Sequence, residues 1–191
     1  MLIVIKMKIE KISEKIALPE GVDVVISDKL ITLKGPKGEV KREFIAQKMT
    51  FTKEDNHIVV TITNANKRSK TMIFTIVAHI KNMIKGVLDG FEYVLKICSG
   101  HFPMNVSLQG DTFTVKNFLG EKVPRTVKIK PNVEVKIDGE MISVKSLDKE
   151  LAGLTAAALE QLTRISNRDR RNFQDGIYII SKAGKEQWAL I

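Results

Sequence analysis

The chain has 191 residues, 43% of them hydrophobic, which is enough for a packed core and excludes wholesale disorder. Lysine and arginine number 31 against 22 acids, a net charge of +9. Such a balance favours a polyanionic partner, beside the plainer reading of a soluble domain that is merely basic. The single cysteine, Cys98, excludes an internal disulfide framework and fits a reducing compartment.

The chain opens MLIVIKMKIEKISEKIALPEG, an apolar run broken at Lys6. The run is too short for a signal-peptide core, and no small-residue cleavage site follows it. No stretch reaches the roughly eighteen consecutive apolar residues of a membrane span. These features predict a soluble, cytoplasmic protein with no membrane partner.

In chain order, Val22, Val24 and Ile26 alternate, and so do Ile31 and Leu33, which predicts two short strands. Gly35-Pro36-Lys37-Gly38 between them and Val40 is turn chemistry. Ile58, Val60 and Ile62 predict a third strand. Met72, Ile73, Ile76, Val77, Ile80, Met83 and Ile84 then recur at helical spacing, with Gly86 in the place of a C-terminal cap. A strand follows at 91–97. Near the C-terminus, Asp148 is placed to cap a second helix with a buried stripe of Leu151, Leu154, Thr155, Ala158, Leu162 and Ile165. A last strand runs over 176–180.

The chain is written twice. Thr32-Leu33-Lys34 lies over Thr114-Val115-Lys116, and Gly38-Glu39 over Gly120-Glu121, at an offset of 82 residues in both places. A shared offset over several elements argues for duplication, and two copies argue for two similar domains rather than a solenoid. The predicted fold class is therefore α+β. Two tandem domains, 1–87 and 88–191, each place a small, mainly antiparallel sheet against one helix, in a β-β-β-α order.

Catalytic and metal readings find little support. Gly35 to Gly38 sits between strands and lacks the Lys-Ser/Thr at a helix start that a phosphate loop requires, so a hairpin turn is the better reading. An exposed Lys37 at its tip would still be available to a phosphate. Cys98 and His101 make half a zinc site at most, since no second cysteine exists. His57, His79 and His101 read as buried or bystander histidines, and the carboxylates are scattered singly among lysines. No enzyme, cofactor, metal or small-molecule substrate is predicted. The run 64–70, NANKRSK, reads as a solvated helix start or as a phosphate-contacting edge.

Arg164, Arg168, Arg170 and Arg171 fall within eight residues. Arg164 and Arg168 are four apart and share a face while the helix lasts, and cations near a helix C-terminus gain from its dipole. Four arginines exceed what such a cap requires, and their mutual repulsion costs free energy unless a polyanion offsets it. Arginine also grips phosphate bidentately. Few aromatics accompany them, which favours backbone contacts to structured RNA over single-strand stacking.

Gln161, Ile165, Arg168, Arg171, Phe173, Asp175-Gly176-Ile177-Tyr178-Ile179 and Lys182 resemble the C-terminal signature of a universal large-subunit ribosomal protein family, numbered six in bacteria and nine in eukaryotes. KGPKGEV (34–40), HIKNMIKGV (79–87), HFPMNV (101–106) and NFLGEK (117–122) resemble its archaeal and eukaryotic branch. The resemblance runs from about Ile16 to Lys182.

It implies two tandem α/β domains and no catalysis. It also implies binding to large-subunit ribosomal RNA, chiefly through the C-terminal domain, near the sarcin–ricin loop and the stalk base. Neighbouring ribosomal proteins, and elongation factors close by, are the implied partners. Carried over position by position, the RNA contacts are Asn117, Lys122, Arg168, Arg171 and Lys182; Lys116, Arg125, Arg164 and Arg170 join them on charge and placement. Phe173 and Tyr178 are expected to pack the domain, and Asp175-Gly176 to form the turn that presents the arginines. A free-standing RNA-binding ribosome-assembly factor explains the same charge and fold.

Overall fold

The computed structural model describes residues 9–45 and 49–186. The chain divides into two units, Met1–Asp89 and Gly90–Ile191. Unit one holds β1 (Ile9–Ala17), β2 (Asp23–Ser27), β3 (Leu30–Gly35), β4 (Gly38–Glu43), β5 (Met49–Glu54), β6 (His57–Ala65) and α1 (Lys67–Leu88). Unit two holds β7 (Phe91–Cys98), β8 (Asn105–Gln109), β9 (Thr112–Lys116), β10 (Arg125–Lys128), β11 (Glu134–Asp138), β12 (Met141–Ser146), α2 (Lys149–Leu162), β13 (Gly176–Lys182) and β14 (Lys185–Glu186). The class is α+β, and every strand pairing is antiparallel.

Each unit carries two sheets where the alternation pattern predicts one. In unit one the orders are β1-β6-β5 and β2-β3-β4; in unit two they are β11-β12-β7-β13-β14 and β10-β9-β8. The extra strands escape the pattern because they are edges. β5, with the sequence MTFTKE, is exposed or half-buried throughout, so packing leaves little mark on it. β1 (IEKISEKIA) spaces its isoleucines three and four residues apart, so it lacks a strand's alternation and no strand is predicted there, yet it pairs along its length with β6. The apolar start, 1–7, lies outside the described residues.

α1 starts at Asn66, whose side-chain oxygen accepts from Ser69 N at 2.8 Å. It runs through Gly86, a buried helical residue rather than the predicted cap, and is capped at Asp89. The cap is built by the β3–β4 hairpin. Lys37 N donates to Val87 O at 3.1 Å, and Lys37 Nζ donates to Asp89 O. Lys37 thus covers helix carbonyls instead of presenting a free tip.

Gly35 allows the approach, since a Cβ there would lie 2.9 Å from the Val87 carbonyl oxygen. The buried face of α1 is Ile73, Ile76, Val77, Ile80, Met83, Ile84, Gly86 and Val87, packed on β6, β3, β1 and β4; Met72 faces outward. Contrary to the sequence expectation, α1 is long and apolar enough to cross a membrane on length and composition alone. Its apolar side is the core of unit one.

α2 starts at Asp148, whose carboxylate accepts from Glu150 N at 2.8 Å, as predicted. Its buried face is Ala152, Thr155, Ala156 and Leu159, a different phase from the predicted stripe; Leu154 is 53% exposed. The alanines let α2 lie close to β7, β12 and β13, and small side chains carry too little hydrophobic signal to set a helix phase from sequence. The core of unit two gathers Leu95, Phe113, Phe118, Ile142, Val144 and Ile177 around them.

Candidate nucleic-acid interface

α2 ends at Leu162, with Thr163 as its cap, so Arg164 and Arg168 lie beyond the helix and share no helical face. The arginines occupy a loop, 164–175, leading into β13. Its ends are pinned together. Buried Thr163 Oγ1 accepts from Ile177 N at 2.8 Å, and Glu160 Oε1 accepts from Ile179 N at 3.2 Å.

Arg125, on β10, braces the start of this loop. Its Nη1 donates to Leu162 O at 2.8 Å and to Arg164 O at 3.1 Å. Its Nε and Nη2 grip the Glu121 carboxylate at 2.8 and 2.6 Å, and its guanidinium lies 4.4 Å from the Phe118 ring centre. Those hydrogen bonds, opposed by burial and helped by the nearby charges of Arg125 and Arg168, hold the Glu121 carboxyl below its usual range.

Asp175 braces the other end. It is 1% exposed, and where the sequence reading expects a turn that presents the arginines, its side chain anchors the end of their loop. Oδ1 accepts from the backbone N–H groups of Gly100 and of His101, the latter at 3.0 Å, and Oδ2 accepts from His101 Nδ1 at 2.7 Å. Burial pushes its carboxyl up, but these three donors and the His101 charge outweigh burial and hold it below the usual range. His101 is therefore no bystander. Its ring stacks on Phe173 at 4.8 Å between centroids, and Arg168 lies over the same Phe173 ring at 4.9 Å. Phe173 packs toward the core, as expected.

Within the loop, Asp169 accepts from Arg171 N at 3.0 Å and from the Arg171 guanidinium at 2.9 Å. The hydrogen bond with the Arg171 side chain holds the Asp169 carboxyl below its usual range. Arg164 and Arg170 are exposed, and neither side chain has an ion pair among the described residues.

The segment 116–122 joins the same edge. Asn117 has φ 59° and donates from Nδ2 to Pro103 O at 3.1 Å. Leu119 (φ 50°) and Gly120 (φ 79°) keep the chain in a left-handed turn that buries Phe118 and Leu119 and leaves Lys116 and Lys122 exposed. A positive φ at leucine is strained, and the buried pair holds it.

Three segments thus meet, 98–104, 116–125 and 163–175, and eight of the nine predicted contacts sit on them. Lys182 does not. β13 pairs with β7 from Gly176 opposite Cys98 to Lys182 opposite Tyr93, so Lys182 lies six residues, roughly 20 Å, along the strand from the loop. Sequence reasoning missed the two braces. Glu121 and Arg125 stand four apart in the chain and offered a signal; Asp175 and His101 are 74 apart and offered none.

Cys98 is half-buried, and burial pushes its thiol up, away from a reactive thiolate. Among the described residues no three His, Cys, Asp or Glu side chains gather as a metal site.

Two sheet-and-helix units in tandem, one of them holding a braced basic edge, define an α+β scaffold protein. The model of the family Ribosomal protein L6 matches residues 18–90 and 102–176, one stretch in each unit. The large ribosomal subunit protein uL6 of Methanobrevibacter smithii is 46% identical over 171 residues, covering 90% of this chain and 96% of that protein. The chain belongs to the ribosomal protein L6 family, which is structural and non-enzymatic.

Proposed function

We propose that the protein is a structural constituent of the large ribosomal subunit, bound to ribosomal RNA through the braced edge of unit two. Its kinship to the archaeal uL6 supports the subunit and the RNA. The observation that carries the edge is the exposed pair Arg164 and Arg170, cations without counter-ions among the described residues, on a loop pinned at both ends. Lys116, Asn117 and Lys122 extend it on one side, and Arg168 and Arg171 on the other. A pinned loop loses little entropy on binding, so its cations are presented already ordered. The contacts are to phosphates and riboses of folded RNA. The site in the subunit is close to the sarcin–ricin loop and the stalk base, beside the docking path of elongation factors, in the cytoplasm. Neighbouring ribosomal proteins cover part of the remaining surface.

The test is sedimentation of a tagged copy through sucrose at high salt, beside a variant with Arg164, Arg170 and Lys122 changed to Ala. None of the three side chains makes a structural contact among those described above, so folding should be unchanged. Wild type is expected with mature large subunits and polysomes, with the variant depleted from them. Equal assembly of both would remove the edge from the proposal. Confinement of wild type to precursor particles would replace the structural role with that of an assembly factor.

A further inference from the structure

α1 and α2 are the equivalent helices of the two units, yet their charges differ. α2 (KELAGLTAAALEQL) mixes Lys149 with Glu150 and Glu160. α1 (KRSKTMIFTIVAHIKNMIKGVL) carries Lys67, Arg68, Lys70, Lys81 and Lys85 and no acid. Solvated helix faces ordinarily intersperse both signs, as three- and four-residue ion pairs. None of these five has an ion pair among the described residues.

Three of the five are also placed where the helix disfavours them, while Lys85 stands in the favourable last turn. Lys67, Arg68 and Lys70 occupy the first turn, the positive end of the dipole, with no acid to balance them. Lys81 and Lys85, four apart, repel one another.

Steps of three and four residues carry Lys67, Lys70, Phe74, Ala78, Lys81 and Lys85 down one stripe, opposite the buried face. From Lys67 to Lys85 the stripe is about 27 Å long, enough to lie along several phosphates of one strand. Its middle is apolar: Phe74 is 46% exposed, and the hydroxyls of neighbouring Thr71 and Thr75 bond back to helix carbonyls at 3.2 and 3.0 Å. A shallow hollow of about 670 Å³ lies there, lined by Lys67, Lys70, Phe74 and Ala78 among others.

We propose that this solvent-facing stripe of α1 is a second RNA-binding surface, on which a segment of ribosomal RNA lays its phosphates against Lys67, Lys70, Lys81 and Lys85 and a ribose or base against Phe74. Charge complementarity selects the occupant, since a stripe with no acid repels a basic partner and leaves its own repulsion unrelieved against a neutral one. The inference rests on the ribosomal reading above and adds a contact in the unit to which that reading assigns none.

The experiment measures binding of the full chain to full-length large-subunit ribosomal RNA of Methanobrevibacter smithii over a range of salt. Five proteins are compared: wild type, Lys67/Lys70/Lys81→Gln, Arg164/Arg170/Lys122→Ala, Phe74→Ala, and a charge-matched control with Lys11, Lys29 and Lys53 changed to Gln. The α1 variant should fold as stably as wild type or more so, because it relieves cations at the positive helix end. Its log-affinity against log-salt slope should be shallower by roughly two to three, one contact contributing about 0.7–0.9. The control should shift it by less than one, and Phe74→Ala should weaken binding without changing the slope.

A slope equal to the control's, with the unit-two variant still impaired, overturns the α1 surface and leaves the unit-two edge standing. If neither variant differs from the control, both fail. If the α1 variant binds RNA normally but is lost from salt-washed subunits, the stripe meets an acidic protein instead, and the RNA proposal is overturned.

Discussion

His101 Nδ1 donates to a carboxylate of Asp175 that is 1% exposed, across 74 residues of chain. The bond ties the β7–β8 connection to the end of the arginine loop. Through the stack of His101 on Phe173, and of Phe173 under Arg168, it also sets where Arg168 stands.

Removing that anchor should be costly. Asp175→Ala takes the acceptor from two backbone N–H groups and an imidazole at once and is expected to destabilise unit two by about 2–3 kcal/mol. The chain's two tyrosines, Tyr93 and Tyr178, both lie in unit two, so their near-ultraviolet signal in a denaturant titration reports it. A loss below 0.5 kcal/mol (well under the ~1 kcal/mol of one hydrogen bond) would deny the anchor its role.

The same carboxyl predicts the acid limb of stability. Its folded value lies below its ordinary one, so the folded state binds fewer protons. Its contribution is complete above the unfolded aspartate value, near 3.9, and is lost as pH falls through the lower folded value. Between about pH 4.5 and 2.5, wild type should therefore lose stability more steeply than Asp175→Asn. Parallel limbs would show that other carboxylates govern acid unfolding.

Arg125 spends its guanidinium on Glu121 and on two carbonyls at the end of α2. Arg125→Lys cannot reproduce the fork and should cost about 1–3 kcal/mol while keeping the charge. The informative readout pairs stability with RNA binding. A framing role predicts faster amide exchange through 163–175 and an unchanged salt slope. A shallower slope at unchanged stability would instead make Arg125 a phosphate contact.

Gly35→Ala should strain unit one. The new methyl would lie 2.9 Å from Val87 Cβ and from its carbonyl oxygen, and backbone cannot swing aside as a side chain can. A cost of about 1–3 kcal/mol is expected, with faster amide exchange confined to the last turn of α1 and the β3–β4 hairpin. Unaltered exchange there would mean that the hairpin does not depend on this approach.

Thr155 offers the opposite sign. Its hydroxyl is buried on α2 without a hydrogen-bond partner among the described residues. Thr155→Val keeps the shape and removes the unpaired oxygen, so stability should rise by up to about 1 kcal/mol, or Tm by about 2–4 °C. A fall in Tm would reveal a partner for the hydroxyl.

The sequence by itself determined what periodicity and chemistry can carry locally. Duplication at a constant offset announced two units, and Asp148 announced the start of α2. Alternating apolar residues marked β2, β3 and β6, although β3 buries Ile31, Thr32 and Leu33 in succession and β6 buries Ile58, Val59 and Val60. The arginine cluster and the family signature marked the edge of unit two. Tertiary structure alone decided the rest. Edge strands such as β5 bury too little to leave a pattern, and the alanines of α2 reset its phase because close helix–sheet approach, not hydrophobicity, selects them. The helix that spacing extends to Arg164 and Arg168 stops before both, since Thr163 turns to accept from β13. The division of the basic residues into those that brace and those that face solvent was also absent from the sequence. Lys37 and Arg125 look no different from Arg164 and Arg170 until folding brings a helix end within 3 Å, because those partners, 52 and 37 residues away, are joined only by the fold; Arg171 has its carboxylate, Asp169, two residues away.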